Sequence, residues 1–307
     1  MRITSTHALY SCAAHDDLLA QWERVKDDEG PLEIDLRRAT FFDPYGIVAL
    51  VLFLNTLPET ALPVRMQLDE FPLQNGAKTP ERGPVSYLTR MGFWEEVGER
   101  LDLCGGKLPF RPQWSEDKNV LIDVTVLHSR DAVHVMLRKT GEILQSLGFS
   151  PIGRGHVMEV LSELSSNVLD HAQSELGGIV STQTYRSRKT DTRYLVMSIG
   201  DAGIGVRQSL SNNGKLADRL ESDAQALGVA VQMGASRFAS GGRGGGLPRV
   251  LEIARRYDGR VAFRSGTGAL AYRGEDDQKR LFDTVAKTGT QLRIMLPENR
   301  LVEEKKA

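Results

Sequence analysis

The sequence predicts an α/β protein, more narrowly α+β, built as two domains. A small α/β unit occupies residues 1–115, and a two-layer sandwich of helices on a mixed β-sheet occupies residues 116–300. Three observations predict this. The chain has 307 residues, enough for two domains of ordinary size. Its composition shifts once, at LCGGKLPFRPQWSEDK (residues 103–118), where Gly, Pro and charge crowd together as in linkers. On both sides of that stretch, short β-rich runs interleave with longer apolar ones, and a layer of helices on a sheet is the economical way to bury both.

Taken in order, the first domain opens its regular structure with a strand over residues 31–36, where Glu33 and Asp35 alternate with Leu32, Ile34 and Leu36. A turn at Phe42-Asp43-Pro44-Tyr45-Gly46 leads into an apolar helix over residues 47–55. A second strand follows at 63–68 and a helix at 85–91, ending near Gly92. The second domain begins with a strand at 120–126. Ser129 or Asp131 can cap a helix running to about Leu147, and Gly148 suits its stop. A longer helix is expected from about Gly155 to Ala172. Runs 178–185 and 194–199, joined by the charged segment 186–193, predict a hairpin. A Gly-rich turn, a helix over 247–257 and strands at 260–264 and 290–296 complete the domain.

Charge and composition narrow the function. A formal net charge of −1 gives no electrostatic footprint for nucleic acid or an anionic membrane, so neither is an expected partner. The longest strongly apolar run, residues 46–54, is too short to cross a bilayer. The opening MRITSTHALYSCAAHDD has one early basic residue and no apolar signal core. Cys12 and Cys104 stand far apart and offer neither a disulfide framework nor a metal knuckle, so a cytoplasmic location is expected.

Four elements of the second domain carry chemistry. In SPIGRGHVMEVLSELSSNVLDHA (residues 150–172), Glu163, Asn167 and His171 are spaced by four and form one row on a helix, beside the apolar stripe of Val157, Val160, Leu161, Leu164 and Val168. In isolation such a row reads as a solvated face. At a cleft edge, Asn offers a neutral oxygen that suits Mg²⁺, and Glu offers a base for water or a hydroxyl. Asp201-Ala202-Gly203-Ile204-Gly205 follows a strand directly. A carboxylate there can accept from the exocyclic amine of adenine, and the glycines let backbone turn tightly. Gly241-Gly242-Arg243-Gly244-Gly245-Gly246-Leu247 leads into a helix, a turn whose exposed N–H groups form a phosphate cradle. It lacks the GK[ST] of a Walker A loop. Gly289-Thr290 precedes the last strand, where the threonine can share the adenine edge with Asp201.

Together these elements resemble the Bergerat-fold (GHKL, histidine-kinase-like) ATPases, which include DNA gyrase, chaperone and mismatch-repair ATPases and histidine kinases. The match is Glu163 with Asn167, Asp201 with Gly203 and Gly205, Gly242 with Gly244 and Gly246, and Gly289 with Thr290, in the family's order over about 180 residues. The resemblance implies ATP and Mg²⁺ as cofactors. Asn167 is then the metal ligand, Asp201 the reader of the adenine amine, and Glu163 the catalytic base. Gly203, Gly205, Gly242, Arg243, Gly244, Gly245, Gly246, Leu247 and Thr290 line the nucleotide. Residues 206–241 form a lid whose parts at 211–214 and 239–242 are expected to move without nucleotide. Arg237 and Arg243 can add charge near the phosphates or stand as solvated lid residues. His171 sits where the family is often basic.

The layout departs from ordinary histidine kinases. No two-helix dimerisation hairpin with a phosphoacceptor histidine precedes the domain, and His128 and His134 lie inside it. The short helix ahead of residue 150 is similar to the anti-sigma-factor serine kinases. PLEIDLRRATFFDPYGIVALVLFLNTL (residues 31–57) resembles the core of a STAS domain, although Asp43-Pro44-Tyr45-Gly46 lacks the serine that phospho-switched STAS proteins carry in this turn. A STAS-like unit is expected to dock the ATPase domain or a partner. Two functions follow from the resemblance. One is a Mg-ATP-binding regulatory protein that slowly hydrolyses ATP as a conformational switch. The alternative is a serine/threonine protein kinase of the anti-sigma type acting on a STAS-like partner. A STAS-like or sigma-factor-like protein is the expected partner, and a homodimer is compatible with either function.

Overall fold

The computed structural model describes residues 1–5, 9–10, 12–74, 78, 82–110, 120–187, 191–212, 220–232 and 245–303. It divides into two compact units, residues 1–118 with 123–125 and residues 119–122 with 126–307.

In the first unit, β1 (Arg2–Thr4), β3 (Glu33–Asp35) and β5 (Arg65–Gln67) form a parallel sheet in the order β1-β3-β5, with Ile34 opposite both Ile3 and Met66. A second parallel pair joins β2 (Leu9–Tyr10) to β4 (Phe41–Phe42). Helix α1 (Cys12–Val25), which the sequence pattern does not announce, packs on β1 and on α2 (Pro44–Thr56). Helix α2 starts three residues earlier than the apolar run suggests. Asp43 is its N-cap, accepting from the Gly46 N–H at 2.8 Å, and Pro44 occupies the first turn, where a missing N–H costs nothing. Residues 44–54 are buried without interruption, so α2 has no solvated face and is the centre of this unit. Two short helices, α3 (Pro84–Arg90) and α4 (Phe93–Val97), close it, with Trp94 stacked on Phe71 at 4.4 Å between ring centroids.

The second unit is a five-stranded sheet in the order β6-β7-β8-β10-β9, from β6 (Val120–Leu127), β7 (Gly178–Arg186), β8 (Arg193–Asp201), β9 (Arg260–Arg273) and β10 (Gln278–Pro297). The three pairs whose register is described, β7 with β8, β8 with β10 and β10 with β9, are antiparallel. The expected 178–199 hairpin forms, from Gly178 opposite Asp201 to Arg186 opposite Arg193. The last two strands run far beyond their expected ends, because residues 265–287 are too polar and glycine-rich to alternate and take their order from cross-strand pairing.

Helices α5 (Arg130–Ser146), α6 (Pro151–Asn167) and α9 (Gly246–Arg256) supply Met136, Leu144, Val160, Leu161, Val250 and Ile253 to the core over this sheet. Full burial of each such side chain is worth about 1.5–3 kcal/mol. Ser129 caps α5, accepting from Ala132 N–H at 3.2 Å, so Asp131 is an ordinary first-turn acid. Helices α7 (Gly205–Ser211), α8 (Asp223–Ala230) and α10 (Glu298–Val302) are the other α-helices of this unit among the described residues. No described helix is long and apolar enough to cross a membrane.

Candidate nucleotide site

Helix α6 begins at Pro151, four residues before the predicted start, because Ser150 caps it by accepting from Gly153 N–H at 3.0 Å. It ends at Asn167, and residues 168–172 widen into a π-helical turn that stops at Gln173 with φ 53°. Such single turns are frequent at functional sites. Glu163, Asn167 and His171 nevertheless remain on one side and line the same cavity, of about 440 Å³. Ser166 and Asp170 join them there, and Arg130 at the start of α5 holds Asp170 at 2.6 Å. The end of the π turn is locked to the next motif. Ala172 C=O accepts from Ile204 N–H at 2.9 Å, and a Cβ on Gly203 would run into that same carbonyl. Gly203 is therefore required by helix-to-turn approach and does not itself line the cavity.

Asp201 ends β8 inside the cavity wall and is only 4% exposed. Its Oδ1 accepts from Gly203 N–H at 2.8 Å and Thr290 N–H at 3.3 Å, and Oδ2 takes no hydrogen bond from the described residues. Gly289 has φ 70°, and a Cβ there would strike the Asp201 carbonyl. That close approach is what delivers the Thr290 N–H to the carboxylate. Ser265 has no local signature in the sequence, yet it ties two turns together. Its hydroxyl donates to Gly289 C=O at 3.1 Å and accepts from Val206 N–H at 2.9 Å. Only the register, which sets Ser265 opposite Thr290, places it there.

The far wall is the start of α9. Gly245, Gly246 and Leu247 line the cavity with Gly205 and Thr290, and a Cβ on Gly246 would collide with the Glu163 carboxylate. Gly242, Arg243, Gly244 and Arg237 lie outside the described residues, as do lid positions 213–214 and 239–242.

A row of Glu and Asn on one helix, a buried carboxylate at a strand end, a Gly-Thr turn bonded to it and a glycine-led helix thus meet around one cavity. Residues 153–300 match the family model of histidine kinase-, DNA gyrase B- and HSP90-like ATPases. These residues are a GHKL-type ATPase domain. The chain is also similar to the DNA-directed RNA polymerase subunit beta' of Flavobacterium psychrophilum, at 26% identity over 168 residues. That stretch is 52% of this chain and 12% of that protein, an overlap that assigns no activity.

The GHKL domain places charge behind its cavity as well as in it. Lys287 is buried in β10, next to a register irregularity of the hairpin, and Arg264 is buried in β9 with its guanidinium on the Val285 carbonyl at 2.7 Å. Burial raises the Asp201 carboxyl above its ordinary range, opposed by the Gly203 N–H, the Lys287 charge and the Thr290 N–H. Burial pulls Lys287 down to about 8, against the attraction of Asp201 and with the repulsion of Arg264. Neither cation stands out in the sequence, because only strand pairing brings Lys287 within reach of the Asp201 charge and Arg264 within reach of Lys287.

Proposed function

We propose that this protein is a Mg-ATP-binding regulatory module whose GHKL domain binds and slowly hydrolyses ATP, working in the cytoplasm as a nucleotide-gated switch. The observation that carries this is the convergence of Glu163, Asn167, Asp201, Gly245–Leu247 and Thr290 on one cavity within the family-matched segment. Asp201 Oδ2 is the acceptor for the adenine amine, held in place by the two N–H groups on Oδ1. The start of α9 offers N–H groups and a favourable dipole to the phosphates.

The donor set fits a magnesium ion. The Asn167 amide lines the cavity, and its nitrogen is buried without a hydrogen-bond partner among the described residues, so the group is not committed to the protein's own network. Mg²⁺ commonly takes few protein oxygens and fills its shell from water and nucleotide phosphates, so one neutral amide oxygen suffices. When bound, the ion neutralises charge developing on the phosphates. Glu163 takes the proton of the attacking water as the bond to the γ-phosphorus forms and the β–γ bridge breaks, releasing ADP and phosphate. The first unit, with its strand, Asp43-capped turn and helix, is a STAS-like interaction module for a protein partner.

The test is Mg²⁺-dependent ATP binding and ADP release in wild type, Asn167→Ala and Glu163→Ala. Asn167→Ala is expected to lose binding. Glu163→Ala is expected to retain binding and lose turnover by 10²-fold or more, on the order of a general base's contribution. ADP release only in the presence of a STAS-like protein would replace water by a protein hydroxyl as acceptor. A wild type that binds no ATP would overturn the proposal.

A further inference from the structure

Helices α6 and α9 meet along three side-chain rungs. His156 Nδ1 lies 2.7 Å from the Tyr257 hydroxyl. One turn along α6, Glu159 takes a two-pronged ion pair from Arg249, with Nε at 2.7 Å and Nη2 at 3.1 Å. One turn further, the Glu163 carboxylate abuts Gly246. Glu159 and Glu163 are separated by four residues, and Gly246 and Arg249 by three, so the last two rungs share a face on both helices. Arg249 also reaches Glu252 at 2.7 Å, which fixes its remaining nitrogen. The guanidinium is thus committed entirely to carboxylates, and none of the three rungs except the Glu163 end touches the cavity.

We propose that Arg249 is a positioning residue for phosphate binding: its fork on Glu159 fixes the first turn of α9 against α6 and so sets the place of Gly245–Leu247 relative to Glu163 and Asn167. This rests on the ATP-binding reading above. A two-pronged Arg–carboxylate pair fixes direction as well as distance, which a lysine's point charge does not. The pair is about one-third exposed, so its worth lies in alignment more than in stability. Alignment is costly to lose, since a shift of about 1 Å in a positioned group can cost 10²-fold.

The distinguishing measurement separates phosphate affinity from adenine affinity. ATP and ADP binding with Mg²⁺ are measured by calorimetry for wild type, Arg249→Met, Arg249→Lys and the exchanged pair Arg249→Glu with Glu159→Arg. Adenosine is titrated to millimolar levels and followed through the backbone amide signals of Gly203 and Thr290. Arg249→Met keeps the aliphatic stem and is expected to weaken ATP and ADP by about tenfold or more, with adenosine unchanged within about twofold. Arg249→Lys is expected to lose most of the same phosphate affinity, and the exchanged pair to recover part of it. A ratio of ATP to adenosine affinity that stays at the wild-type value in both Arg249→Met and Arg249→Lys overturns the positioning role while leaving ATP binding intact. Equal weakening of all three ligands also overturns it, by showing a merely structural pair. A wild type in which neither ATP nor adenosine binds sinks the ATP-binding reading and this inference with it.

Discussion

The buried Lys287 gives the sharpest test of the electrostatics behind the cavity wall that Asp201 forms. Its ordinary value of 10.5 falls to about 8 in the folded protein, chiefly through burial. At about 1.36 kcal/mol for each tenfold change in the proton equilibrium, a fall of that size corresponds to about 3 kcal/mol. The sign follows from proton counting. Below about pH 8 both folded and unfolded chains hold the Lys287 proton, and the cost of burying that charge is fully present. Between about 8 and 10.5 the unfolded chain holds it and the folded chain does not, so stability rises with pH. Wild type is therefore expected to gain about 3 kcal/mol from this group between pH 7 and pH 10.5. Lys287→Met removes the group and with it this gain. Titrations remote from Lys287, such as that of Tyr272, raised by burial and by the Asp277 carboxylate, are common to both proteins and cancel on subtraction. The assay is urea unfolding followed by circular dichroism at several pH values. Trp22, Trp94 and Trp114 all precede residue 119, so tryptophan emission would report the wrong unit. A wild-type-minus-variant difference that stays constant from pH 7 to 10.5 would refute the argument.

Two further outcomes follow from the same wall. Because burial raises Asp201 and Lys287 opposes that rise, Lys287→Met is expected to move the acidic loss of ATP affinity to higher pH, as read from dissociation constants between pH 5 and 8; coincident wild-type and variant profiles would count against it. Gly289→Ala places a Cβ against the Asp201 carbonyl at φ 70°, so a loss of about 2 kcal/mol or more in unfolding free energy is expected, together with weakened ATP binding.

What the sequence reveals is what short stretches of chain encode by themselves. The four-residue spacing of Glu163, Asn167 and His171 survives even a change from α to π geometry, because one residue's extra width does not carry His171 away from the cavity. Asp201 is visible because it ends a strand just ahead of two glycines, and Thr290 because it follows Gly289 and precedes an apolar run. The start of α6 is misplaced by four residues in a sequence reading that follows the apolar stripe, since Ser150-Pro151 is a cap and first turn rather than a break. Ser265, Arg264 and Lys287 are illegible for a different reason. Each acts on residues of another strand, and the pairing that brings them there includes two register irregularities that no periodicity announces. Arg249 and Glu159 are likewise 90 residues apart and read separately as surface charges.

The irregularities flanking Lys287 bear on why so costly a group is there. Shifts of this kind break the strict alternation of a strand and re-aim a side chain, and they gather beside active sites. With Oδ1 taken by two N–H groups, Oδ2 accepts best from an amine when the carboxyl is ionised, since a proton on Oδ2 would set a donor against a donor. Burial, which strengthens the hydrogen bond Asp201 can make, also pushes it toward the neutral form. A cation turned inward at Lys287 opposes that push without occupying the cavity, and the cation itself is disfavoured by the same burial. If Asp201 is the proposed adenine acceptor, the fold gives up stability at neutral pH to keep that oxygen ionised, with the energetic cost in β10 and the benefit at the ligand.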